Sequence, residues 1–343
     1  MPDFEYLLVV DTDTTPPTVT LTPVAPPVEE TSTYRTSGRF LLDPRGAKVI
    51  GRGPEMPYWR ASWLRTSFVD EIARTGANQV RVLPYLAVQT PTGDPTATLA
   101  DVEDLIVRAV RGHMLCDLAI DGGQVLETWL QPDVLALLAK YERYLVVHAV
   151  GESYATSDTA WRDQAIEVVR RLRAAGLRMP LTVMSRHGGR NLPCLLEQGQ
   201  AVVDGDPLNN VILGWQAYWG SDRAYQNEYG MELAEAMHRA ASAPFPIQVG
   251  LLYRSDPRAG SPQKVPFEDV MRLAQDLQLT WWWWDWRMGI DNLTFDGIDG
   301  HWARATEGPG ADGLPVGATV AVNSPYSIAK TAVRTAVQLA QKL

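Results

Sequence analysis

The chain has 343 residues, enough for one large domain or two ordinary ones, and 45% of them are hydrophobic. No apolar run reaches the roughly 18 residues that a membrane-spanning helix needs, so an integral membrane protein is excluded. The net charge of −9, without a basic stripe, argues against a nucleic-acid partner. Cys116 and Cys194 lie far apart and the histidines lack metal-ligand spacing, so we predict no disulfide framework, no metal and no cofactor.

The N-terminus carries no signal peptide pattern, because a basic n-region and a small-residue cleavage site are both missing. Either the chain is not exported by that route, or such a signal has been removed. We therefore expect a cytoplasmic or virion-associated protein, with the host compartment open.

Residues 1–34 differ from the rest of the chain, since they contain six acidic residues and no lysine or arginine. Thr and Pro dominate residues 11–27, where Val19 and Leu21 alternate with threonines and predict one extended strand. Two interpretations fit this acidic arm: a flexible leader, or a segment that docks on a partner subunit of an assembly. We place the domain boundary between this arm, residues 1–34, and residues 35–343.

From residue 35 onward, short apolar segments alternate with helical patterns. Predicted strands cover residues 48–53, 79–84, 114–119, 145–150, 181–185, 211–218, 246–252 and 279–286. Predicted helices cover residues 99–111, 132–140, 160–175, 230–241, 267–276 and 327–343. Continuously apolar strands are typical of a parallel sheet covered on both faces, and eight such units predict an α/β fold, a (β/α)8 TIM barrel. An open doubly wound sheet is the alternative, but no glycine-rich fingerprint follows the first strand.

A TIM barrel carries its chemistry at the C-terminal ends of its strands. Residues 37–46 predict a hairpin that closes the opposite end. Arg81 faces inward if its apolar neighbours face the helices, and Glu152 follows the fourth strand. Glu152 is therefore either a working carboxylate or a strand-end carboxylate paired with Arg81 or with a helix N-terminus.

Several ordered segments resemble the retaining (β/α)8 glycoside hydrolases, in particular the cellulases and mannanases of family 5. The family's opening pattern is similar to FLLDPRGAKVIGRG, and its second strand, which supplies an inward arginine, is similar to GANQVRV with Arg81. Its Asn-Glu tip, helix and strand are similar to VGESYATSDTAWRDQAIEVVRRLRAAGLRMPLTV. The resemblance covers residues 37–343 and implies that Glu152 is the catalytic acid/base and that the partner is a glycan.

The chain departs from the family at several positions of that site, and its third strand ends in DLAI, without the family's histidine. Leu251 stands where the family has its nucleophilic Glu, Gly151 replaces the Asn beside the acid, and Gln216 replaces the sixth-strand His. Leucine cannot form a glycosyl-enzyme intermediate, so the standard retaining mechanism is not available. An inverting mechanism needs a second carboxylate elsewhere, and the candidates are Glu55, Asp256 and Asp285.

The segment WWWWDW in the eighth strand predicts a sugar-stacking platform. Alternate tryptophans of a strand face opposite sides, so one pair packs against helices and the other enters the barrel. We place the platform at Trp283 or Trp284, beside Asp285. Tyr218 and Trp59 extend this substrate-binding surface, together with Arg81 and Gln216.

Two functions remain. The first is a catalytically degenerate barrel, not an enzyme, that serves as a carbohydrate-binding or structural module of a phage tail or virion. The second is an active glycosidase on β-linked glycans, with Glu152 as acid and a non-standard second carboxylate. The missing nucleophile and the acidic arm favour the first.

Overall fold

The structure is a computed structural model that describes residues 33–58, 66–84, 86, 96–119, 125–217, 229–252, 266–284, 286, 320–321 and 324–334, and the backbone of residues 6–11 and 18–23. Its strands are β1 (Tyr6–Asp11), β2 (Thr18–Pro23), β3 (Arg35–Ser37), β4 (Phe40–Leu42), β5 (Lys48–Val49), β6 (Arg52–Pro57), β7 (Gln79–Leu83), β8 (Leu115–Leu118), β9 (Leu145–Val150), β10 (Leu181–Met184), β11 (Val211–Gln216), β12 (Ile247–Leu252) and β13 (Thr280–Trp284). Strands β6 to β13 form a closed parallel barrel in chain order, with β13 paired to β6. The predicted TIM barrel is confirmed.

Helices cover the outside of this barrel. They are α1 (Phe68–Arg74), α2 (Leu99–Arg111), α3 (Val125–Trp129), α4 (Pro132–Lys140), α5 (Asp158–Ala174), α6 (Leu192–Gly205), α7 (Leu233–Ser242), α8 (Phe267–Asp276) and α9 (Ile328–Thr331). Helix α5 ends as its sequence predicts, because Gly176 takes the left-handed conformation, φ +96°, that terminates a helix. None of the described helices combines the length and the apolar character that crossing a membrane requires.

Helix α6 was not predicted, because its sequence, LPCLLEQGQAVVDG, contains a proline and two glycines. The structure explains Gly199, since a Cβ there would lie 2.4 Å from Cδ1 of Leu213 on β11. The glycine lets the helix pack closely on the barrel. The predicted C-terminal helix is also corrected: within the described residues it is the single turn α9, and residues 332–334 are not helical.

The first barrel strand is displaced from its predicted place. We predicted residues 48–53, but the barrel strand is Arg52–Pro57, and Lys48–Val49 pairs with β4 in a separate antiparallel sheet. The sequence of β6, RGPEMP, lacks the β-branched apolar residues that mark a strand. Glycine is required at Gly53, where a Cβ would lie 1.7 Å from the backbone oxygen of Gln79.

Strands β3, β4 and β5 cover the N-terminal end of the barrel, as predicted for the hairpin in this region. The turn between β3 and β4 contains Gly38 at φ +52°. This sheet and the barrel bottom bury one apolar cluster, made of Tyr34, Leu41, Val49, Leu115, Val146 and Ile212. This apolar cluster joins the small sheet to the bottom of the barrel.

The N-terminal arm contains two strands where the sequence predicted one. Strands β1 and β2 pair antiparallel, with Leu8 opposite Leu21 and Val10 opposite Val19. Pairing provides the backbone groups of each strand with hydrogen-bond partners, which a lone extended strand lacks. The docking of this arm on a partner subunit stays a prediction.

Alternate strands contribute the side chains that fill the barrel interior. The strand register places Arg81, His148, Gly214 and Trp282, from β7, β9, β11 and β13, in one layer. Two glycines make room for the large side chains of Trp282 and Met184. A Cβ on Gly250 would lie 2.6 Å from Cζ2 of Trp282, and one on Gly214 would lie 2.2 Å from the sulfur of Met184. This layer of the interior is thus packed around Arg81 and Trp282.

Candidate active site

Glu152 lies at the mouth of the barrel, two residues beyond the end of β9, and its side chain is exposed. Nε2 of Gln216, the last residue of β11, donates a hydrogen bond to its Oε1 at 3.0 Å. The hydroxyl of Tyr154 lies 3.5 Å from its Oε2. One carboxylate oxygen is thus held by a buried amide, and the other faces the open end of the barrel.

The loop that follows β10 approaches this carboxylate closely. His187, Gly188 and Gly189 all have positive φ values, of 58°, 62° and 81°. The backbone N–H of Gln216 donates to the carbonyl of Gly189 at 2.7 Å. This bond fixes the loop against β11, the strand that supplies the amide partner of Glu152.

Arg81 lies inside the barrel and is 2% exposed. Its Nη1 is 3.5 Å from Oε2 of Glu55 on β6, and its Nη2 donates to Nδ1 of His148 at 3.1 Å. The guanidinium also lies 4.3 Å from the centroid of Trp282. The predicted inward arginine is therefore present, but its carboxylate partner is Glu55 and not Glu152.

Asp117 and His148 are buried members of this network that the sequence analysis did not select. Nε2 of His148 lies 3.0 Å from Oδ1 of Asp117, which is ion-pair range without good hydrogen-bond alignment. Both side chains are completely buried. A polar residue within each of two apolar strands, LCDL and LVVHAV, was the signal that could have identified them. In the described part of the chain, no three His, Cys, Asp or Glu side chains are placed to hold a metal ion.

The network makes stability depend on pH. Burial, and then the charge of Arg81, lower the pKa of His148, and Asp117 opposes this shift. Between the unfolded pKa of about 6.5 and the lower folded value, the unfolded chain binds more protons, so the free energy of unfolding decreases as pH falls through this range.

We expect His148→Gln to reduce this pH dependence. Urea unfolding at pH 7.5 and at pH 5.0 measures this pH dependence. Between the two pH values the free energy of unfolding should fall further in the wild type than in the variant. Equal losses in the two proteins would contradict a neutral, buried His148.

Strand β12 determines which side of the barrel wall Leu251 faces. The side chain is completely buried within the core that joins barrel and helices, and Leu251 pairs with Trp283, which packs on α8. Gly250 meets Trp282, which contacts Arg81 inside the barrel. Because neighbouring residues alternate sides, Leu251 faces the helices and does not fill the cleft.

The tryptophan platform is corrected in the same way. Trp283 is completely buried and packs edge-on against Phe267 of α8, with ring centroids 5.3 Å apart, so it cannot stack on a ligand. Trp282 and Trp284 occupy the alternate positions. Trp284 is half-buried and lies opposite Glu55 in the register. It remains the predicted sugar platform at the end of β13.

Four predicted site residues lie outside the described part of the chain: Trp59, Tyr218, Asp256 and Asp285. Their roles stay predictions. The sequence suggested three candidates for the second carboxylate, and of these Glu55 alone lies among the described residues.

The chain is similar to β-mannanases, although no protein-family profile matches it. Mannan endo-1,4-β-mannosidase of Salipaludibacillus agaradhaerens is 27% identical over 194 residues, covering 54% of this chain and 62% of that protein. The enzyme of the same name from Cellvibrio japonicus (strain Ueda107) is 22% identical over 283 residues, covering 78% of this chain and 62% of it. The β-mannanase of Thermomonospora fusca, solved with mannohexaose, has a TM-score of 0.71 at 20% identity, covering 90% of this chain and 100% of that one.

These comparisons correct our first functional interpretation. The chain spans less than two thirds of the length of either curated relative, and the structural likeness shows the (β/α)8 fold. The relatives are enzymes named for cleaving mannan, so the interpretation as a degenerate module of a phage tail or virion is wrong. The expectation that the chain is not an enzyme has no support, and the alternative of an active glycosidase fits better.

Proposed function

We propose that this chain is a glycoside hydrolase that cleaves the β-1,4 bonds of mannan. One observation carries the proposal: an exposed carboxylate, Glu152, is held by Gln216 at the mouth of a barrel whose sequence relatives are mannanases. Mannohexaose bound to the Thermomonospora fusca enzyme supports a manno-oligosaccharide as the ligand class. The substrate is thus a neutral polysaccharide.

Glu152 is the general acid in this proposal. Gln216 holds Oε1, so Oε2 carries the proton toward the open mouth. An amide does not titrate, and Gln216 therefore keeps the carboxyl group in place in both of its protonation states. The proton passes to the glycosidic oxygen as the bond to the anomeric carbon breaks.

We assign Glu55 as the second carboxylate. It is 4% exposed, and Arg81 at 3.5 Å stabilises its negative charge. Leu251 stands at the family's nucleophile position, so the retaining route is closed, and Glu55 serves as the base of an inverting mechanism with a water between the carboxyl groups. The water oxygen attacks the anomeric carbon, and its proton passes to Glu55.

The test of function is the release of reducing ends from a panel of polysaccharides: β-1,4-mannan, cellulose, xylan and a β-1,3-glucan. The wild type should act on mannan at least about tenfold faster than on the others, since one well-matched sugar contact discriminates by about that factor. No release from mannan above the Glu152→Gln background, or faster release from another polymer, would contradict the proposal.

The test of the second carboxylate is Glu55→Gln. We expect mannan hydrolysis to fall by about 10²–10⁴-fold, because the base that activates the water is lost. Glu197→Gln, an exposed substitution on α6, is the matched control, and circular dichroism confirms that each variant is folded. Full activity in Glu55→Gln, with loss in Asp256→Asn or Asp285→Asn, would place the second carboxylate elsewhere.

A further inference from the structure

Tyr154 is the exposed aromatic side chain of the described residues. It is 70% exposed, whereas every other described phenylalanine, tyrosine and tryptophan is buried or half-buried. Its hydroxyl lies 3.5 Å from Oε2 of Glu152, at the C-terminal mouth of the barrel. A large aromatic ring in water beside the candidate acid is suited to contact with a ligand.

The backbone on both sides of Tyr154 is fixed. The carbonyl of Ser153 accepts from the N–H of Gly188 at 3.2 Å, and the carbonyl of Ala155 accepts from Nη1 of Arg186 at 3.2 Å. Arg186 also pairs with Asp158 at 2.8 Å. The ring is therefore presented by a segment tied to the loop after β10, so less conformational entropy is lost when a ligand binds.

The space beside this ring depends on Gly188. A Cβ at that position would lie 2.9 Å from the Tyr154 hydroxyl and 3.5 Å from Oε2 of Glu152. Next to it, His187 stacks on Tyr229 with centroids 6.4 Å apart, and Nδ1 of the histidine lies 2.9 Å from the tyrosine hydroxyl. The glycine leaves room between the ring and the acid, and the aromatic pair borders the same loop.

We propose that Tyr154 is the platform for the sugar ring on the leaving-group side of the scissile bond. This inference rests on the proposed function, in which Glu152 protonates the glycosidic oxygen. Glu55 lies inside the barrel, so the anomeric carbon lies between Glu152 and the barrel axis. The departing sugar therefore extends outward over Tyr154. The apolar C–H face of a β-1,4-linked pyranose packs on the phenol ring.

The experiment compares Tyr154→Ala and Tyr154→Phe, with Leu208→Ala as the control. Leu208 is 47% exposed and lies before β11, at the opposite end of the barrel. With each substitution made in the inactive Glu152→Gln protein, calorimetric titration with mannohexaose should show a Kd roughly tenfold higher for Tyr154→Ala, and a Kd within about twofold of the Glu152→Gln parent for the other two variants.

A kinetic comparison identifies the side of the scissile bond. The kcat/KM of Tyr154→Ala should fall roughly tenfold on mannohexaose and stay unchanged on mannobiosyl fluoride, whose leaving group is not a sugar. Equal losses on both substrates, unchanged binding by Tyr154→Ala, or no binding of mannohexaose by the Glu152→Gln protein would each overturn the proposal. Tyr154-dependent binding without hydrolysis would contradict the proposed function alone and confirm a sugar platform.

Discussion

The substitution Glu152→Gln should lower kcat on mannan by about 10²–10⁴-fold and leave KM on mannan nearly unchanged. The amide oxygen of the new glutamine can accept the same hydrogen bond from Gln216 that Oε1 accepts now, at 3.0 Å. The orientation of the side chain is kept, and only the proton source is lost. Steady-state kinetics on mannan measure both constants, and calorimetric titration of the inactive variant with mannohexaose shows directly that it still binds.

A substrate with a good leaving group makes this prediction specific to an acid. Fluoride departs without protonation, so Glu152→Gln should retain its rate on mannobiosyl fluoride within about threefold of the wild type. Glu197→Gln should match the wild type on both substrates. Equal loss on mannan and on the fluoride would show that Glu152 acts by some means other than proton donation.

The largest expected effect on stability comes from Asp206→Asn. Arg173 and Asp206 form a bidentate pair at 2.9 Å, with side chains 3% and 0% exposed. The same carboxylate accepts from the backbone N–H groups of Leu208 and Asn210. An asparagine at this position turns two of these favourable contacts into donor–donor contacts and leaves the arginine without a counter-charge.

We expect a loss of about 3–5 kcal/mol in the free energy of unfolding, the usual cost of breaking a buried ion pair from one side. The side chain of Asn210 also bonds Thr36 N–H and the carbonyl of Tyr34, so the sheet under the barrel should loosen as well. Urea unfolding measures the loss.

The control for this prediction is Asp163→Asn. It breaks the exposed pair with Arg162 at 2.7 Å, which is expected to contribute at most about 1 kcal/mol. Equal changes in the two variants would show that the buried pair stabilises the barrel no more than a surface pair does.

The barrel was predictable because its strands are mostly continuous apolar segments, such as LVVHAV in β9. The exceptions follow from close packing. Strand β6 reads RGPEMP, and helix α6 contains Gly199. In both places a neighbouring element lies too close for a side chain, so glycine is required although it is a poor strand and helix former. Local sequence patterns do not contain this information, because it depends on a neighbouring element distant in the chain.

The candidate site was predictable in part. Glu152 and Gln216 were selected from strand ends, and Arg81 was selected as the inward residue of its strand. The first two are in hydrogen-bond contact. The partnership of Arg81 with Glu55 was not predicted, because the first strand was placed too early in the chain. The side that Leu251 faces also depends on its register with Trp283, which a single sequence does not show.

The most direct test of the account is the fate of mannohexaose in H₂¹⁸O, followed by mass spectrometry with the wild type and with Glu152→Gln. The wild type should release shorter manno-oligosaccharides that carry one ¹⁸O at each new reducing end, and the variant should leave the hexaose intact over the same time. Mannohexaose that stays intact with a folded wild-type protein that binds it, or equal cleavage by both proteins, would contradict the assignment of this barrel as a mannan hydrolase with Glu152 as its acid.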